Sequence, residues 1–151
     1  MPRYLTLVRQ GNTPLERARS RQGSEAERLY RSACDTYMAA LQVRPGIAEA
    51  LLGLGCARLA LAAGASEPGR RRVLLAGARK ALLSAEALAA PAACLNLACL
   101  SALEGEPKEA RRWLVPTRKR HQLPACEQLL ADPDLASLRA EPWFVELTQR
   151  G

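Results

Sequence analysis

Six side chains are candidates for nucleophilic or metal chemistry: Cys34, Cys56, Cys94, Cys99, Cys126 and His121, the one histidine of the chain. A hydroxyl or thiol nucleophile needs a neighbouring base, so any Ser-His-Asp or Cys-His arrangement must pass through His121. That residue follows Arg118, Lys119 and Arg120 directly, inside a basic run. The cysteines form no C-x-x-C pair. Cys94 and Cys99 are five apart, a poor zinc spacing, and a single imidazole does little to complete a tetrahedral set. The glycines lack the G-x-x-x-x-G-K-[ST] order that cradles phosphate, and no close pair of carboxylates stands out for acid–base work. The sequence thus predicts no catalytic residue, no metal site and no cofactor. What remains is charge. Arg70, Arg71 and Arg72 form one basic cluster, and Arg118, Lys119 and Arg120 a second. Such clusters suit an acidic peptide, an anionic surface or nucleic acid, or they simply solvate helices.

The rest of the composition points to helices. Hydrophobic residues make up 48% of the 151, yet aromatics only 4%, so the core must be built of alanine and leucine. Close-packed helices accept that mixture, whereas a sheet would call for β-branched and aromatic side chains. Five cysteines inside apolar stripes read as small buried hydrophobes in a reducing compartment. The N-terminal MPRYLTLVRQG has no long apolar run of the kind that opens a signal peptide, and no segment reaches the length of a membrane span. A cytoplasmic location is the expectation.

Residues 96–114, NLACLSALEGEPKEARRWL, organise the chain. Leu97, Ala98, Leu100 and Leu103 recur at helical spacing until Gly105. Glu106 and Pro107 suit the cap and first position of a second helix, because proline has no amide hydrogen to lose there. Ala110, Trp113 and Leu114 stripe that helix. The product is a helical hairpin whose apolar faces cover each other, and a lone hairpin buries too little to be stable.

These residues resemble a tetratricopeptide repeat, a family with a 34-residue period. With Pro91 as position 1, Leu97 and Ala98 fall at positions 7 and 8, Gly105 at 15, Ala110 at 20 and Leu114 at 24, while Thr117 replaces the usual alanine at 27. Upstream, Ala33, Tyr37, Ala40, Leu41 and Pro45 fit the second helix of a repeat. Leu51, Leu54 and Gly55 fit the first helix of the next one, starting at Ala48. Ala78, Leu82 and Ala85 fit its second helix after an insertion of roughly ten residues in the hairpin turn. The resemblance covers about residues 24–120. Residues 131–147 resemble the tail that closes bacterial arrays of this kind. It implies an all-α fold: an α-solenoid of about three helical hairpins with a C-terminal helical cap, as one domain over 1–151, with 1–23 poorly readable, repeats over 24–120 and capping helices over 121–151.

In chain order, Tyr4, Leu5, Leu7 and Val8 suggest one short helix, and Thr13-Pro14-Leu15-Glu16 a capping box with proline at the first position. Arg17 to Arg21 read as a solvated helix or loop. Ser24 and Glu27 form a capping box for a helix to about Val43, ended by Pro45-Gly46. The next helix is expected from Ile47 to Ala63, stopped by Gly64, with Gly53 and Gly55 placed for close helix contact. Residues 65–72 form the insertion, and Ser66 caps a helix to about Ala89. Pro91 opens the following helix. Pro116 is expected to kink or end the hairpin's second helix at Val115. Leu123-Pro124 starts a short helix to about Ala131. Asp132-Pro133 and Glu141-Pro142 start two more, whose Leu135, Leu138, Trp143, Phe144 and Leu147 form a covering layer.

Function is expected in the groove lined by the first helices. The resemblance assigns Glu49, Leu52, Cys56, Leu59 and Ala60 to that groove in one repeat, and Ala92, Leu95, Cys99, Ala102 and Leu103 in the next. Asn96 sits at a position where some members grip a terminal carboxylate, but Leu52 and Cys56 stand where lysine and asparagine would complete that clamp. The lining is small and apolar. It suits an amphipathic helix or extended apolar segment, and equally the chain's own N- or C-terminal segment. The leading expectation is a non-enzymatic interaction scaffold, adaptor or small chaperone that binds another protein, with the basic clusters on the rim. A nucleic-acid or anionic-surface binder comes second, and a self-assembling structural subunit third.

Overall fold

The computed structural model describes residues 1–90, 92–119 and 126–149, the side chains at 116–119, 126 and 127 excepted. Among them every regular element is helical. The chain divides into two compact units, Met1–Ala90 and Pro91–Gly151.

The first unit contains α1 (Arg3–Arg19), α2 (Gly23–Val43), α3 (Ala48–Gly64) and α4 (Pro68–Ala87). Consecutive helices pack on one another, and α1 also reaches α3. Helical spacing accounts for this: Val8, Gly11, Leu15 and Ala18 bury one face of α1, Ala33, Tyr37 and Ala40 one face of α2, and Ala78, Leu82 and Ala85 one face of α4. α3 starts 45 residues after α1 (from 3 to 48), and α4 starts 45 residues after α2 (from 23 to 68). The two hairpins therefore share one long format. No insertion is confined to the second hairpin, whose turn is only Ala65 to Glu67.

Several local expectations are corrected. α1 is one continuous helix, and Pro14 lies inside it rather than at a start. A proline there deprives the Gln10 carbonyl of its in-helix donor. Burial of Gly11, Leu15 and Ala18 on both sides of the break outweighs that loss. Ser24 does not cap α2. The helix begins at Gly23, whose φ of 64° makes the turn, and Gln22 gives no side-chain cap. Glu67, not Ser66, caps α4: its carboxylate accepts from the backbone N–H of Gly69 at 2.9 Å and of Arg70 at 2.6 Å. Pro68 then occupies the first turn, where no amide is missed.

The second unit contains α5 (Ala93–Leu103), α6 (Pro107–Lys119), α7 (Cys126–Ala131), a 3-10 turn (Pro133–Leu138) and α8 (Pro142–Gln149). Gly105, at φ 74°, closes α5: the N–H of Glu106 bonds back to Ser101 and that of Gly105 to Ala102. Leu97, Ala98, Ala110 and Leu114 are buried, as the hairpin pattern requires. α6 runs through position 116 to Lys119, so the proline does not end it. The 3-10 turn packs on α5 and α7, and α8 on α6 and α7. Asp132 caps the turn by accepting from the Asp134 N–H, and Leu135, Leu138, Phe144 and Leu147 are buried, with Trp143 half-buried against Phe144. The helix starts expected at Pro91 and at Leu123-Pro124 lie outside the described residues.

The units differ in charge. Residues 1–90 carry 14 basic and seven acidic side chains, whereas residues 91–151 carry eight of each. The whole excess of +7 belongs to the first unit.

Candidate functional site

Close backbone contacts set the position of α3. The Tyr37 ring stands against Gly11 of α1 on one side and Gly53 of α3 on the other. A Cβ at Gly11 would meet the ring at 2.8 Å, and one at Gly53 would overlap it. The Tyr37 hydroxyl donates to Asn12 Oδ1, and Asn12 Nδ2 donates to Glu49 Oε1 at 3.1 Å. On the opposite side of α3, Leu82 fills the space beside Gly55. Arg58 reaches from α3 to the Gly77 carbonyl of α4 at 3.2 Å and to Met38 Sδ of α2 at 3.6 Å. Beneath it, burial pushes the Cys34 thiol up to about 11, with the Arg58 guanidinium pulling the other way.

So held, α3 leaves one stripe uncovered. Glu49 is exposed, and Leu52, Cys56 and Ala60 are half-buried, at the i, i+4 spacing of one helix face. Leu59 is not part of this surface. It is only 3% exposed, because α3 is packed by α1, α2 and α4 along its length.

At the end of the unit where the α1–α2 and α3–α4 turns lie, an open cleft of about 660 Å³ adjoins Ala60. Its walls include Ala26, Tyr30 and Leu61, and its rim carries Arg21, Glu27, Glu67 and Arg70. The charges interlock. Glu27 Oε1 accepts from Arg31 at 2.7 Å and from Arg70 at 2.9 Å, and Arg21 pairs with Glu25 at 3.2 Å. Glu67 is held below the usual carboxylate range by the N–H groups of Gly69 and Arg70. The Arg70–Arg72 cluster is therefore not a bare cationic patch: Arg70 is tied to Glu27, Arg71 is half-buried and Arg72 is exposed. Of the second basic cluster, Arg118 and Lys119 fall in the last turn of α6 with side chains outside the description, and Arg120 lies outside the described residues with His121.

In the second unit the corresponding stripe on α5 is covered at two positions. Ala92, Leu95, Asn96 and Leu103 are half-buried, but Cys99 is 3% exposed and Ala102 is buried. The 3-10 turn lies over them. Cys99 Sγ is 3.9 Å from Asp132 Oδ2, and Ser137 Oγ donates to the Ala102 carbonyl at 3.2 Å. Cys99 and Ala102 are thus corrected from groove lining to covered core. Asn96 Nδ2 donates to the Ala92 carbonyl one turn back, so its amide serves its own helix.

Cys99, Asp132 and Asp134 bring three potential ligand atoms within 4.8 Å of one another. Capping accounts for the arrangement: Asp132 Oδ1 accepts from the Asp134 N–H, and Oδ2 faces the thiol. Burial, then the Asp132 charge, raise the Asp134 carboxyl above its usual range. The cysteine spacings carried no sign of this cluster, because its partners lie 33 and 35 residues downstream of Cys99 in the Asp132-Pro133-Asp134 cap. The turn-end cleft was missed too. It arises from two turns brought together by the α1–α2 and α3–α4 hairpins, a tertiary event with no local signature.

Comparison with protein-family models, with curated proteins and with solved structures returns no match.

Proposed function

We propose that this protein is a non-enzymatic interaction scaffold whose first unit docks a segment of a partner protein on α3. One observation carries this reading. α3 is almost wholly apolar, with Glu49 and Arg58 its two charged residues, yet Leu52, Cys56 and Ala60 are left half-buried. A helix apolar all round is ordinarily covered, so an uncovered stripe on one marks a place for a partner. The recurrence of a long hairpin and the small-against-large contacts, Gly11 and Gly53 on Tyr37 and Gly55 on Leu82, support a repeat scaffold of tetratricopeptide type. The 45-residue offset is longer than that family's period. Adaptor or small chaperone is the finer role that such a scaffold would fill.

A photo-crosslinking residue at Leu52 tests the reading in the native cell extract. Adducts at 52 that are absent from a control at Thr13, on the exposed side of α1, are the expected result. Identical adduct patterns at both positions would remove the α3 face as a docking site. The variant Leu52→Glu, folded by circular dichroism, is expected to lose the partner that 52 captures.

A further inference from the structure

The turn end of the first unit collects arginine. α1 ends in Arg17 and Arg19, with Arg21 in the turn that follows. α2 opens with Arg28 and Arg31, and α4 with Arg70, Arg71 and Arg72. Antiparallel hairpins place these termini at one end, and the Arg70–Glu27 pair and the shared cleft walls fix that meeting. Four glutamates stand among the eight arginines, Glu16, Glu25, Glu27 and Glu67, so this end keeps four of the unit's positive charges.

We propose that the segment docked on α3 is acidic, and that its acidic end enters the turn-end cleft; this rests on the reading of α3 as the docking face. Three features point the same way. The excess charge of the whole chain resides in this unit and is concentrated at this end, which draws an anionic partner. The half-buried stripe of Leu52, Cys56 and Ala60 runs along α3 into the cleft, where Ala60 and Leu61 are wall residues. The cleft presents both signs. Glu27 already accepts from Arg31 and Arg70, and Glu67 from the Gly69 and Arg70 N–H groups, so the acceptors left at this end are the last carbonyls of α3, which take hydrogen-bond donors. A peptide offers N–H donors beside its carboxylates. A nucleic-acid backbone offers acceptors and negative charge alone, with no N–H donor for those carbonyls and no apolar side chain for the α3 stripe. The observations thus favour an acidic polypeptide over nucleic acid.

The probe is a short dye-labelled peptide of alternating leucine and glutamate, measured by fluorescence anisotropy against the full chain, with a lysine-for-glutamate counterpart and a single-stranded oligonucleotide. The glutamate peptide is expected to bind, and the double variant Arg28→Gln/Arg72→Gln to weaken it about tenfold, with a matching loss of salt dependence. The lysine peptide and the oligonucleotide are expected not to compete. Arg28 and Arg72 are exposed surface residues, so the variant keeps its fold, checked by circular dichroism. Preferred binding of the oligonucleotide, equal binding of both peptides, or an affinity indifferent to Arg28 and Arg72 would each overturn the proposal. A partner still captured at position 52 in that last case leaves the docking face standing and removes only its acidic occupant. Loss of capture at 52 with glutamate-peptide binding intact removes the docking face instead.

Discussion

The Tyr37 ring occupies the volume that a Cβ on Gly53 would take. In an exposed helix, glycine to alanine adds roughly 1 kcal/mol of stability. Here the ring has nowhere to go, because Gly11 backs it and its hydroxyl is held by Asn12. Gly53→Ala is therefore expected to destabilise the protein by about 1–3 kcal/mol, the range for overpacking a tight core. Adding Tyr37→Leu should recover part of that loss in a urea-denaturation cycle. A Gly53→Ala variant as stable as the parent would show that the contact is not a constraint.

Two helix ends share a backbone conformation but not a residue type. Gly105 closes α5 at φ 74°, whereas Ala89, at φ 60°, closes α4 by bonding the Ala90 N–H back to Ala85. The left-handed conformation costs a residue with a Cβ about 1 kcal/mol. Ala89→Gly is expected to stabilise by about that amount and Gly105→Ala to destabilise by about the same. Chemical denaturation of the two variants checks both signs at once.

Asp134 should respond to pH in the opposite sense to a capping carboxylate. Burial and the neighbouring Asp132 raise its folded pKa above the unfolded value, so its charge opposes folding at neutral pH. Stability gained by protonating it appears as the pH falls through the raised folded value, and is complete below the unfolded value. Asp134→Asn is accordingly expected to raise Tm at pH 7, with an advantage that fades toward acid pH. A variant whose Tm gain is the same at both pH values would contradict this cause.

Thiol chemistry should single out Cys56. Cys34, Cys94 and Cys99 are buried, and the Cys34 thiol is raised to about 11, whereas Cys56 is half-buried on the α3 stripe. Brief maleimide treatment of the folded protein, mapped by mass spectrometry, is expected to label Cys56 ahead of those three. Faster labelling of Cys34 would mean that the α2–α3 contact opens readily.

Much of the helical layout is legible in the residues. The Gly105-Glu106-Pro107 turn and the Asp132-Pro133 start are local events, decided by proline's missing amide and, at Gly105, glycine's free φ. Gly53 and Gly55 also announced close contact, since nothing local rewards glycine in mid-helix. Pro14 misled, because tertiary burial carries α1 through a proline that local rules would place at an end; α6 likewise runs through position 116. Leu59 and Cys99 were misassigned for a related reason. A face predicted from one helix cannot register α1 packing on α3, or a cap folding back from residue 132.

The uneven partition of charge has a colloidal consequence. With eight basic and eight acidic side chains, residues 91–151 lie near zero net charge at neutral pH, where repulsion between like molecules is weakest. Residues 1–90 supply the repulsion for both. Expressed alone, the C-terminal half would therefore precipitate sooner than the N-terminal half, and neutralising the arginines of the first unit would lower the solubility of a chain whose second half they never touch in sequence.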